Sequence, residues 1–326
     1  MKVVITGGAG FIGVKLAREI LARNSLAGPG GEPAAVDEIV LFDVAEPERF
    51  PDGLDDRARI VAGDIAARDQ VFDLIDRPDC AVFHLASVVS GGGELDFDLA
   101  LRINLEGGLN VLEACRRLDG RPRLVFASSM AVFGGAAMPK TVGDTTKQAP
   151  QTTYGATKAV LELLINDYTR KGFLDGRAAR LPTVFVRPGA PNAALSGFAS
   201  GIFREPLAGV DFVCPVGLDT VMPVIGARTV VSSFVRLHDM AGESLGADRA
   251  VQLPCLSASV RDMIACLNRV AGGRTLGRVT VEADPVAQAV CDGWPHRTDD
   301  SRADTLGLPR DQSLEAIVGE YIEDEL

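Results

Sequence analysis

The residues with the clearest chemical potential in this chain are a tyrosine and a lysine four positions apart, Tyr154 and Lys158 in TTYGATKAVLELLINDY. The segment is typical of the start of a helix, where residues i and i+4 lie on one face. A lysine ammonium beside a phenol lowers the tyrosine pKa. The pair could therefore supply a general base that works near neutral pH. Since the spacing also arises by chance, the elements around it decide its meaning.

A glycine-rich turn near the N-terminus predicts a dinucleotide site. The β-branched run from Val3 to Thr6 predicts a buried strand, and apolar residues at helical spacing follow it. Between them, Gly7, Gly10 and Gly13 permit a tight turn and close approach of the backbone to a pyrophosphate. The helix N-terminus then offers unpaired N–H groups to the anion. The order of strand, glycines and helix makes dinucleotide binding the prediction.

An acid at the end of the second strand predicts which dinucleotide is bound. The strand from Ile39 to Phe42 ends at Asp43, 30 positions after Gly13, where about 20 is usual. The Gly/Pro-rich insertion SLAGPGGEPAA, read as a loop, accounts for the excess. A carboxylate there accepts ribose hydroxyls and repels a 2′-phosphate, which favours NAD over NADP. Arg49 lies nearby in sequence and leaves some tolerance of NADP open.

Composition excludes several other classes. The 326 residues are 47% apolar and 24% charged, and the formal charge of −11 argues against a nucleic-acid partner, which needs a basic face. The six cysteines are scattered, without C-x-x-C pairs or Cys/His ligand spacing. We therefore expect no disulfide scaffold and no metal, and a reducing cytoplasm. The chain opens on MKVVITGG without a leader pattern or a long apolar run, so no membrane partner is expected.

The alternation of strands and helices predicts an α/β fold: a Rossmann-type doubly wound parallel sheet with a smaller C-terminal substrate-binding lobe. Residues 1–187 are assigned to the NAD-binding domain, to which segments from about 220–272 return. Residues 188–219 and 273–326 are assigned to the lobe. His84 lies inside an apolar strand and is interpreted as a packed core histidine.

Several motifs in one order resemble the extended short-chain dehydrogenases/reductases, the NAD-dependent epimerase/dehydratase family. They are TGGAGFIG, GDI, FHLAS, RINLEGGLNVLEACRR, FASSMAVFG, YGATK and VFVRPG. The resemblance implies that Tyr154 is the catalytic base or acid and that Lys158 binds the nicotinamide ribose and lowers the tyrosine pKa. It also implies that Ser129 holds the substrate oxygen, with Ser128 as the competing candidate.

The same resemblance implies a set of cofactor-binding residues and a metal-free hydride transfer to NAD. The set comprises Gly7, Gly10, Phe11, Ile12, Gly13, Asp43, Asp64, Ile65, Leu85, Ala86, Ser87, Asn104, Tyr154, Lys158 and Pro188. In such a reaction the nicotinamide carries the redox chemistry, and the protein aligns the carbinol carbon with it.

The second half favours a small acid over a nucleotide sugar. One Trp and three Tyr offer few stacking surfaces, and the cations between Gly189 and Asp239 are Arg204, Arg228 and Arg236. One arginine forked onto a carboxylate suits a small acid, and we assign Arg204 to that role. Pairing of Arg204 with Glu205 or Asp211 is an equal alternative.

The resemblance of the substrate lobe points to the family's dehydrogenases that oxidise the C2 hydroxyl of a four-carbon sugar acid. It implies that substrate is bound by Ser87, Ser90, Ser129, Tyr154, Asn192 and Arg204. Two alternatives stay open: a nucleotide-sugar epimerase or dehydratase with tightly bound NAD, and a noncatalytic NAD-sensing protein. The helices NLEGGLNVLEACRR and KAVLELLINDY are apolar around much of their circumference, which predicts a homodimer through a four-helix interface.

Overall fold

The computed structural model describes residues 1–190 and 194–326. Its centre is a seven-stranded sheet in which every strand runs parallel to its neighbours. From edge to edge, the strands are Ala250–Gln252, Asp175–Leu181, Arg123–Ser129, Cys80–His84, Lys2–Thr6, Glu38–Asp43 and Ala58–Ala62. The chain thus starts in the middle, builds one side and then the other, which confirms the predicted doubly wound α/β fold.

The direction of building reverses between Lys2–Thr6 and Cys80–His84, which are paired in the sheet. In open parallel sheets, loops diverge at such a switch point and leave a crevice beyond the carboxyl ends of the strands. The sequence motifs that follow these two strands, the glycine-rich turn and the FHLAS segment, are therefore brought side by side.

The part of the molecule built on the seven-stranded sheet, here called the large body, has two hydrophobic cores. Alternation of side chains between the two faces of the sheet explains them. Val3 and Ile5 pack into one core, whereas Val4 between them packs into the other, because successive side chains of a strand point to opposite faces. Both faces are covered by helices, so the strands are apolar throughout rather than alternating. The helices and helical turns of the chain are Phe11–Arg23, Arg68–Leu74, Ser90–Leu95, Phe97–Ala100, Leu101–Glu106, Gly107–Arg116, Met130–Val132, Thr153–Arg170, Gly197–Leu207, Ala227–Asp239, Gly242–Leu245, Val260–Val270, Pro285–Asp292, Ser301–Thr305 and Leu314–Glu325.

A third core belongs to the smaller part of the molecule. It is built around Phe185, Phe203, Met263 and Val318, from helices and short strands of the second half. The remaining strands form one three-stranded and three two-stranded sheets: Thr183–Val184 with Val221–Ile225 and Leu256–Ser259, Phe212–Cys214 with Val279–Val281, Thr141–Val142 with Arg297–Thr298, and Ser25–Ala27 with Pro33–Ala35.

Two regions differ from the sequence interpretation. The insertion read as a loop forms an antiparallel hairpin of Ser25–Ala27 and Pro33–Ala35, which is tied to the body because the Ala27 N–H donates to the Asp239 carboxylate at 2.8 Å. Segment 220–272 is divided rather than returning as a whole. Its Ala250–Gln252 strand joins the large sheet, whereas its Val260–Val270 helix packs into the third core. The domain boundaries themselves stay a prediction.

Candidate active site

One cavity of about 680 Å³ lies at the carboxyl ends of the central strands and reaches from the glycine-rich turn to the smaller lobe. Its walls include residues of both halves of the chain, such as Leu85, Leu181 and Trp294. Ten of the residues predicted to bind cofactor or substrate line it together: Gly10, Phe11, Ile12, Leu85, Ser87, Ser90, Ser129, Tyr154, Lys158 and Pro188. A cavity of this size can hold the reacting ends of a cofactor and a small substrate.

The glycine-rich turn has the geometry that a pyrophosphate requires. Gly7 has φ of 67°, and a Cβ there would stand 2.8 Å from the Ala86 nitrogen. A Cβ on Gly13 would stand 2.6 Å from the Gly8 carbonyl oxygen, so only glycine lets the helix approach the turn. The helix begins at Phe11, and Gly10 caps it without a side chain that could occupy its N–H groups. These N–H groups face the cavity end of the helix and fit a dinucleotide phosphate.

Asp43 holds the turn in place. Its Oδ2 accepts the Ala9 N–H at 3.0 Å, and its Oδ1 accepts the Val44 N–H at 2.8 Å. The carboxylate therefore stands at the carboxyl end of the Glu38–Asp43 strand, beside the glycines, where the sequence placed it. It does not line the cavity itself, and its contact with a ribose stays a prediction.

Other predicted cofactor residues also lie behind the cavity wall. Asp64 forms an ion pair with Arg102 and accepts the Ala66 N–H at 2.9 Å, and that N–H together with the guanidinium lowers the Asp64 pKa. Ile65 is buried in the core, and the Ala86 N–H donates to Thr6 Oγ1 at 3.2 Å. These residues shape loops beside the crevice, and the structure gives them no direct place on its surface.

Asn104 clamps the loop that follows the Cys80–His84 strand. It is 2% exposed, and its Oδ1 accepts the Val88 N–H at 2.7 Å and the Ser87 hydroxyl at 3.1 Å. Its Nδ2 donates to the Val88 carbonyl at 3.0 Å. Asn104 lies in the π-helical stretch Leu101–Glu106, a wider turn that is frequent at functional sites. Asn104, which the resemblance places among the cofactor-binding residues, thus acts on the site through Ser87, which it holds in position and which lines the cavity.

The Tyr154 and Lys158 pair stands where its helix starts. The Thr152 hydroxyl accepts the Gly155 N–H at 3.0 Å and begins the Thr153–Arg170 helix, so the tyrosine falls in the first turn. The Lys158 Nζ lies 5.3 Å from the centroid of the Tyr154 ring. It donates to the Ala127 carbonyl at 2.8 Å, which leaves further N–H groups of the ammonium for other acceptors.

Burial changes the pKa of both partners. Lys158 is 2% exposed, and burial lowers its pKa to about 7, against the opposing attraction of Glu162. Burial raises the pKa of Tyr154, and the groups that oppose this are the Ser129 hydroxyl, by hydrogen bonding, and the Arg187 guanidinium. The sequence assigned the lowering of the tyrosine pKa to Lys158. In this structure the contributions that lower it come from Ser129 and Arg187, and a contribution from Lys158 stays a prediction.

The structure separates the two candidate serines. Ser128 is 2% exposed, and its hydroxyl donates to the buried Glu162 carboxylate, which also pairs with Arg180. Ser129 instead lines the cavity with Tyr154, its Oγ accepts the Ala131 N–H at 3.1 Å, and its hydroxyl opposes the burial that raises the Tyr154 pKa. Alternation along the Arg123–Ser129 strand sends the two side chains to opposite sides, so Ser129 is the serine placed beside the tyrosine.

The assignment of Arg204 to substrate binding is not supported by its position. Its Nε donates to Glu205 Oε1 at 3.1 Å, its Nη1 donates to the Arg187 carbonyl at 3.2 Å, and it is absent from the cavity wall. The neighbouring carboxylate captures the guanidinium, which is the alternative that the sequence left open. Asn192, the other substrate candidate of this segment, lies outside the described residues.

Sequence reasoning gave no binding or catalytic role to several residues of the cavity wall. The most informative is Arg187, whose guanidinium joins Lys158 as the second cation among the described lining residues. It directly follows the apolar run of VFVRPG, and a charge at the end of a buried strand could have been taken as a site residue. The other missed residues include Glu94, Phe133, Leu195, Met222, Val290 and Trp294. They come from distant segments, and no local pattern joins them.

Two further features of the described residues concern other kinds of chemistry. His84 is 3% exposed, its Nδ1 lies 2.7 Å from Thr6 Oγ1, and burial lowers its pKa to about 3, which is the behaviour of a neutral core histidine. Within residues 1–190 and 194–326, no group of three or more His, Cys, Asp or Glu side chains could hold a metal ion. No helix in those ranges is long and apolar enough to cross a membrane.

Comparisons with known proteins agree with this architecture. A protein named D-erythronate dehydrogenase from Cupriavidus necator is 46% identical over 325 residues, or 99% of this chain and 98% of that one. Another of that name from Haemophilus influenzae is 39% identical over 323 residues, with 99% of each chain covered. A crystal structure described as a nucleoside-diphosphate-sugar epimerase from Agrobacterium tumefaciens has a TM-score of 0.91 and 39% identity. The match includes all of this chain and 94% of the Agrobacterium tumefaciens chain.

The model of the NAD dependent epimerase/dehydratase family matches residues 3–244, which contain the glycine-rich turn, Ser129, Tyr154 and Lys158. The match spans most of the chain and both sides of the cavity. The chain therefore belongs to the NAD dependent epimerase/dehydratase family.

Proposed function

We propose that this protein is a dehydrogenase that oxidises the C2 hydroxyl of D-erythronate to 2-oxo-tetronate with NAD. The proposal rests above all on the full-length likeness to the two proteins named D-erythronate dehydrogenase. It is supported by the placement of Tyr154, Lys158 and Ser129 around one cavity, beside a turn that fits a dinucleotide.

The residues of the cavity account for the proton chemistry of such a reaction. A nicotinamide bound beside these residues would supply the acceptor for the hydride from C2. The Tyr154 phenolate takes the hydroxyl proton, so that the alcohol loses one hydride and one proton and becomes a ketone. Ser129, which lines the cavity with Tyr154, would hold the reacting oxygen. The free N–H groups of Lys158 would hold the nicotinamide ribose.

Because burial removes water from Tyr154, formation of its phenolate depends on Ser129 and Arg187. An apolar cavity raises the tyrosine pKa and by itself keeps the phenol protonated. A hydrogen bond from Ser129 and positive charge from Arg187 favour the phenolate. The base is thus available only where these groups surround it, which confines proton abstraction to the site that positions the substrate.

We propose NAD rather than NADP as the cofactor. Support comes from the Asp43 carboxylate at the end of the second strand, where a 2′-phosphate would meet a negative charge. Arg49, the cation that could offset it, is exposed and paired with Asp52 at 2.8 Å. The kcat/KM measured with NAD should exceed that with NADP, and Asp43→Asn should narrow the ratio. A preference for NADP in the unaltered protein would contradict the assignment.

Absorbance at 340 nm tests the reaction directly. Purified protein, NAD and D-erythronate should produce NADH, and C5 and C6 aldonates should react more slowly. Tyr154→Phe should abolish the signal, while Tyr168→Phe, a tyrosine on the same helix bonded to Glu113, should retain it. The alternative is a nucleotide-sugar epimerase, which the name of the Agrobacterium tumefaciens structure favours. Isomerised nucleotide sugar without accumulation of NADH would establish that alternative.

We also propose a homodimer. Val160 and Leu163 on the Thr153–Arg170 helix are 40% and 62% exposed, as an apolar face awaiting a partner would be. Packing of this helix and Gly107–Arg116 against their copies would cover both. Light scattering should give twice the mass of 34.4 kDa, and Leu163→Glu should reduce it to that of one chain. A monomer at micromolar concentration would contradict the proposal.

The compartment we propose is the cytoplasm. All six cysteines are free and buried, as is usual for proteins of a reducing compartment. Fractionation of cells that express the protein would test this, and recovery in an extracellular fraction would contradict it.

A further inference from the structure

The charges on the cavity wall are few, and each can be followed to its partners. Among the described lining residues, the cations are Lys158 and Arg187, and the one carboxylate is Glu94. Glu94 is exposed, and its Oε1 accepts the Thr153 N–H at 2.8 Å at the start of the Thr153–Arg170 helix. A negatively charged substrate therefore has two cations to meet in this part of the cavity.

The two cations differ in what their side chains already bind. The Lys158 Nζ donates to the Ala127 carbonyl and lies 4.7 Å from the centroid of the Phe126 ring. The guanidinium of Arg187 has no hydrogen bond and no ion pair with any residue that the structure describes, although Arg187 is half-buried. Guanidinium groups removed from bulk water are usually paired. Arg187 thus presents unused donors to the cavity.

The backbone of Arg187 is fixed on both sides by the Gly197–Leu207 helix. Its N–H donates to Ser200 Oγ at 3.0 Å, and its carbonyl accepts from Arg204 Nη1 at 3.2 Å. Ser200 is 2% exposed, and Arg204 is itself tied to Glu205. These contacts hold the residue in position and leave its side chain for another task. Arg204, the arginine assigned to substrate binding from the sequence, instead holds the backbone of Arg187 in position.

The electrostatic effects connect Arg187 to the reacting position. Tyr154 attracts the Arg187 charge, and Arg187 in turn favours the Tyr154 phenolate. Arg187 and Tyr154 both line this cavity, and the electrostatic effects agree with that placement. In a 2-hydroxy acid the carboxylate is bonded directly to the carbon that is oxidised, so the group that binds the carboxylate must stand close to the base.

We propose that Arg187 binds the substrate carboxylate and thereby selects the C2 hydroxyl for oxidation. The two parallel N–H donors of a guanidinium match the two oxygens of a carboxylate. With the carboxylate held beside Tyr154, C2 reaches the phenol, whereas C3 and C4 lie farther along the cavity. This inference rests on the proposed function for the identity of the acid, and it adds the residue that sets where the acid is oxidised.

The test compares an acid with its neutral analogue. NADH formation and equilibrium binding to the NADH-loaded protein are measured with D-erythronate and with D-erythronamide, which carries an amide in place of the carboxylate. The variants are Arg187→Gln, Arg187→Lys, Arg204→Gln and Arg261→Gln. Arg261 is the matched control, because it is an exposed arginine paired with Asp219. Thermal melting checks that each variant is folded.

Arg187→Gln should raise the Kd of D-erythronate by about 100-fold and leave the Kd of the amide within about threefold. Because Arg187 also favours the Tyr154 phenolate, turnover of both compounds should fall, and kcat/KM should fall by about 100-fold more for the acid than for the amide. Arg187→Lys should restore part of the loss, because it returns the charge without the fork. Arg204→Gln should have a smaller effect than Arg187→Gln, and Arg261→Gln none. If Arg187→Gln fails to fold, the acid-to-amide ratio of Arg187→Lys decides in its place.

Two failures can be told apart. If the unaltered protein binds the acid in preference to the amide in an Arg187-dependent manner but forms no NADH, the proposed reaction is wrong and the carboxylate site stands. If the preference for the acid survives Arg187→Gln, or if the unaltered protein shows no preference, the assignment of Arg187 is overturned. Loss of the preference in Arg204→Gln alone would transfer the role to Arg204.

Discussion

The two sides of the cavity are built in different ways. The side that we propose for the cofactor is centred on one continuous stretch, in which the Lys2–Thr6 strand, the glycine-rich turn and the Phe11–Arg23 helix follow one another. The substrate side collects residues from segments far apart in sequence, among them Ser90, Arg187, Met222 and Trp294. The difference shows why a cofactor site can be recognised locally while a substrate site depends on how the smaller lobe packs onto the sheet.

The largest expected effect concerns the residue shared by both sides. Tyr154→Phe removes the phenolic oxygen that we propose takes the substrate proton, so kcat should fall by about 1,000-fold. The Kd for NADH, measured by fluorescence titration, should change little, because the glycine-rich turn is intact. Tyr168→Phe serves as the control, since Tyr168 bonds Glu113 outside the cavity. A loss of NADH binding in Tyr154→Phe would mean that the two sides are not separable.

A second prediction tests the local character of the cofactor side. Gly13→Ala places a Cβ at 2.6 Å from the Gly8 carbonyl oxygen and should push the helix away from the turn. We expect the free energy of unfolding to fall by about 1–3 kcal/mol and the Kd for NADH to rise by about tenfold or more. Urea denaturation and fluorescence titration measure both.

The matched control for Gly13→Ala is another glycine within a helix. A Cβ on Gly319, in the Leu314–Glu325 helix, meets nothing within 4 Å. Gly319→Ala should therefore stabilise the protein by up to about 1 kcal/mol, the difference between alanine and glycine in a helix. If both substitutions act alike, close approach of the helix to the turn is not the reason for Gly13.

Asn104 links the two sides, and its removal should have an intermediate effect. Asn104→Ala leaves the Val88 N–H and carbonyl without their partner and frees Ser87. We expect a loss of about 1–3 kcal/mol in unfolding free energy and weaker binding of NADH and substrate alike. Asn166→Ala is the control, because it breaks a hydrogen bond to the Arg249 N–H away from the cavity. Unchanged binding in Asn104→Ala would show that the Ser87 loop holds its shape unaided.

The smallest expected effect is a pH dependence of stability that originates at Lys158. Its pKa is about 7 in the folded protein without cofactor and about 10.4 in an unfolded chain. Below pH 7 both states carry the proton, and the buried charge destabilises the fold fully. Between pH 7 and pH 10.4 the unfolded state binds more protons than the folded state, so the contribution of Lys158 to the free energy of unfolding rises with pH. Above pH 10.4 Lys158 is neutral in both states, and the destabilisation is gone.

Lys158→Met should accordingly raise the melting temperature of the cofactor-free protein at pH 6 by roughly 2 °C or more. The difference between Lys158→Met and the unaltered protein should shrink as the pH approaches 10. Scanning calorimetry across this range measures it. The control is Lys171→Met, at an exposed lysine just after the same helix, whose difference from the unaltered protein should not change in this way. If the difference in melting temperature between Lys158→Met and the unaltered protein stays constant with pH, its cause is packing rather than the charge of Lys158.

Most of the large body could be predicted from the sequence because its determinants are local. A strand of the parallel sheet is an unbroken apolar run, and the glycines of the turn are required by positive φ at Gly7 and close approach at Gly13. The pairing of Tyr154 with Lys158 follows from helical periodicity alone. The hairpin of Ser25–Ala27 and Pro33–Ala35 was read as a loop, since its stability depends on contacts such as that of Ala27 with Asp239.

The fold class, the dinucleotide turn and the tyrosine–lysine pair could be predicted from the sequence, since each depends on neighbours within one or two elements. The tertiary structure was needed to show that Arg187 lines the cavity whereas Arg204 does not, and that Ser128 and Ser129 have different partners. The physical reason is that a long or rotatable polar side chain takes the partner that stands nearest in space. Glu205 binds Arg204, and Glu162 accepts the hydroxyl of Ser128, although Ser128 also borders the cavity. Arg187 and Ser129 line the cavity without a carboxylate partner among the described residues.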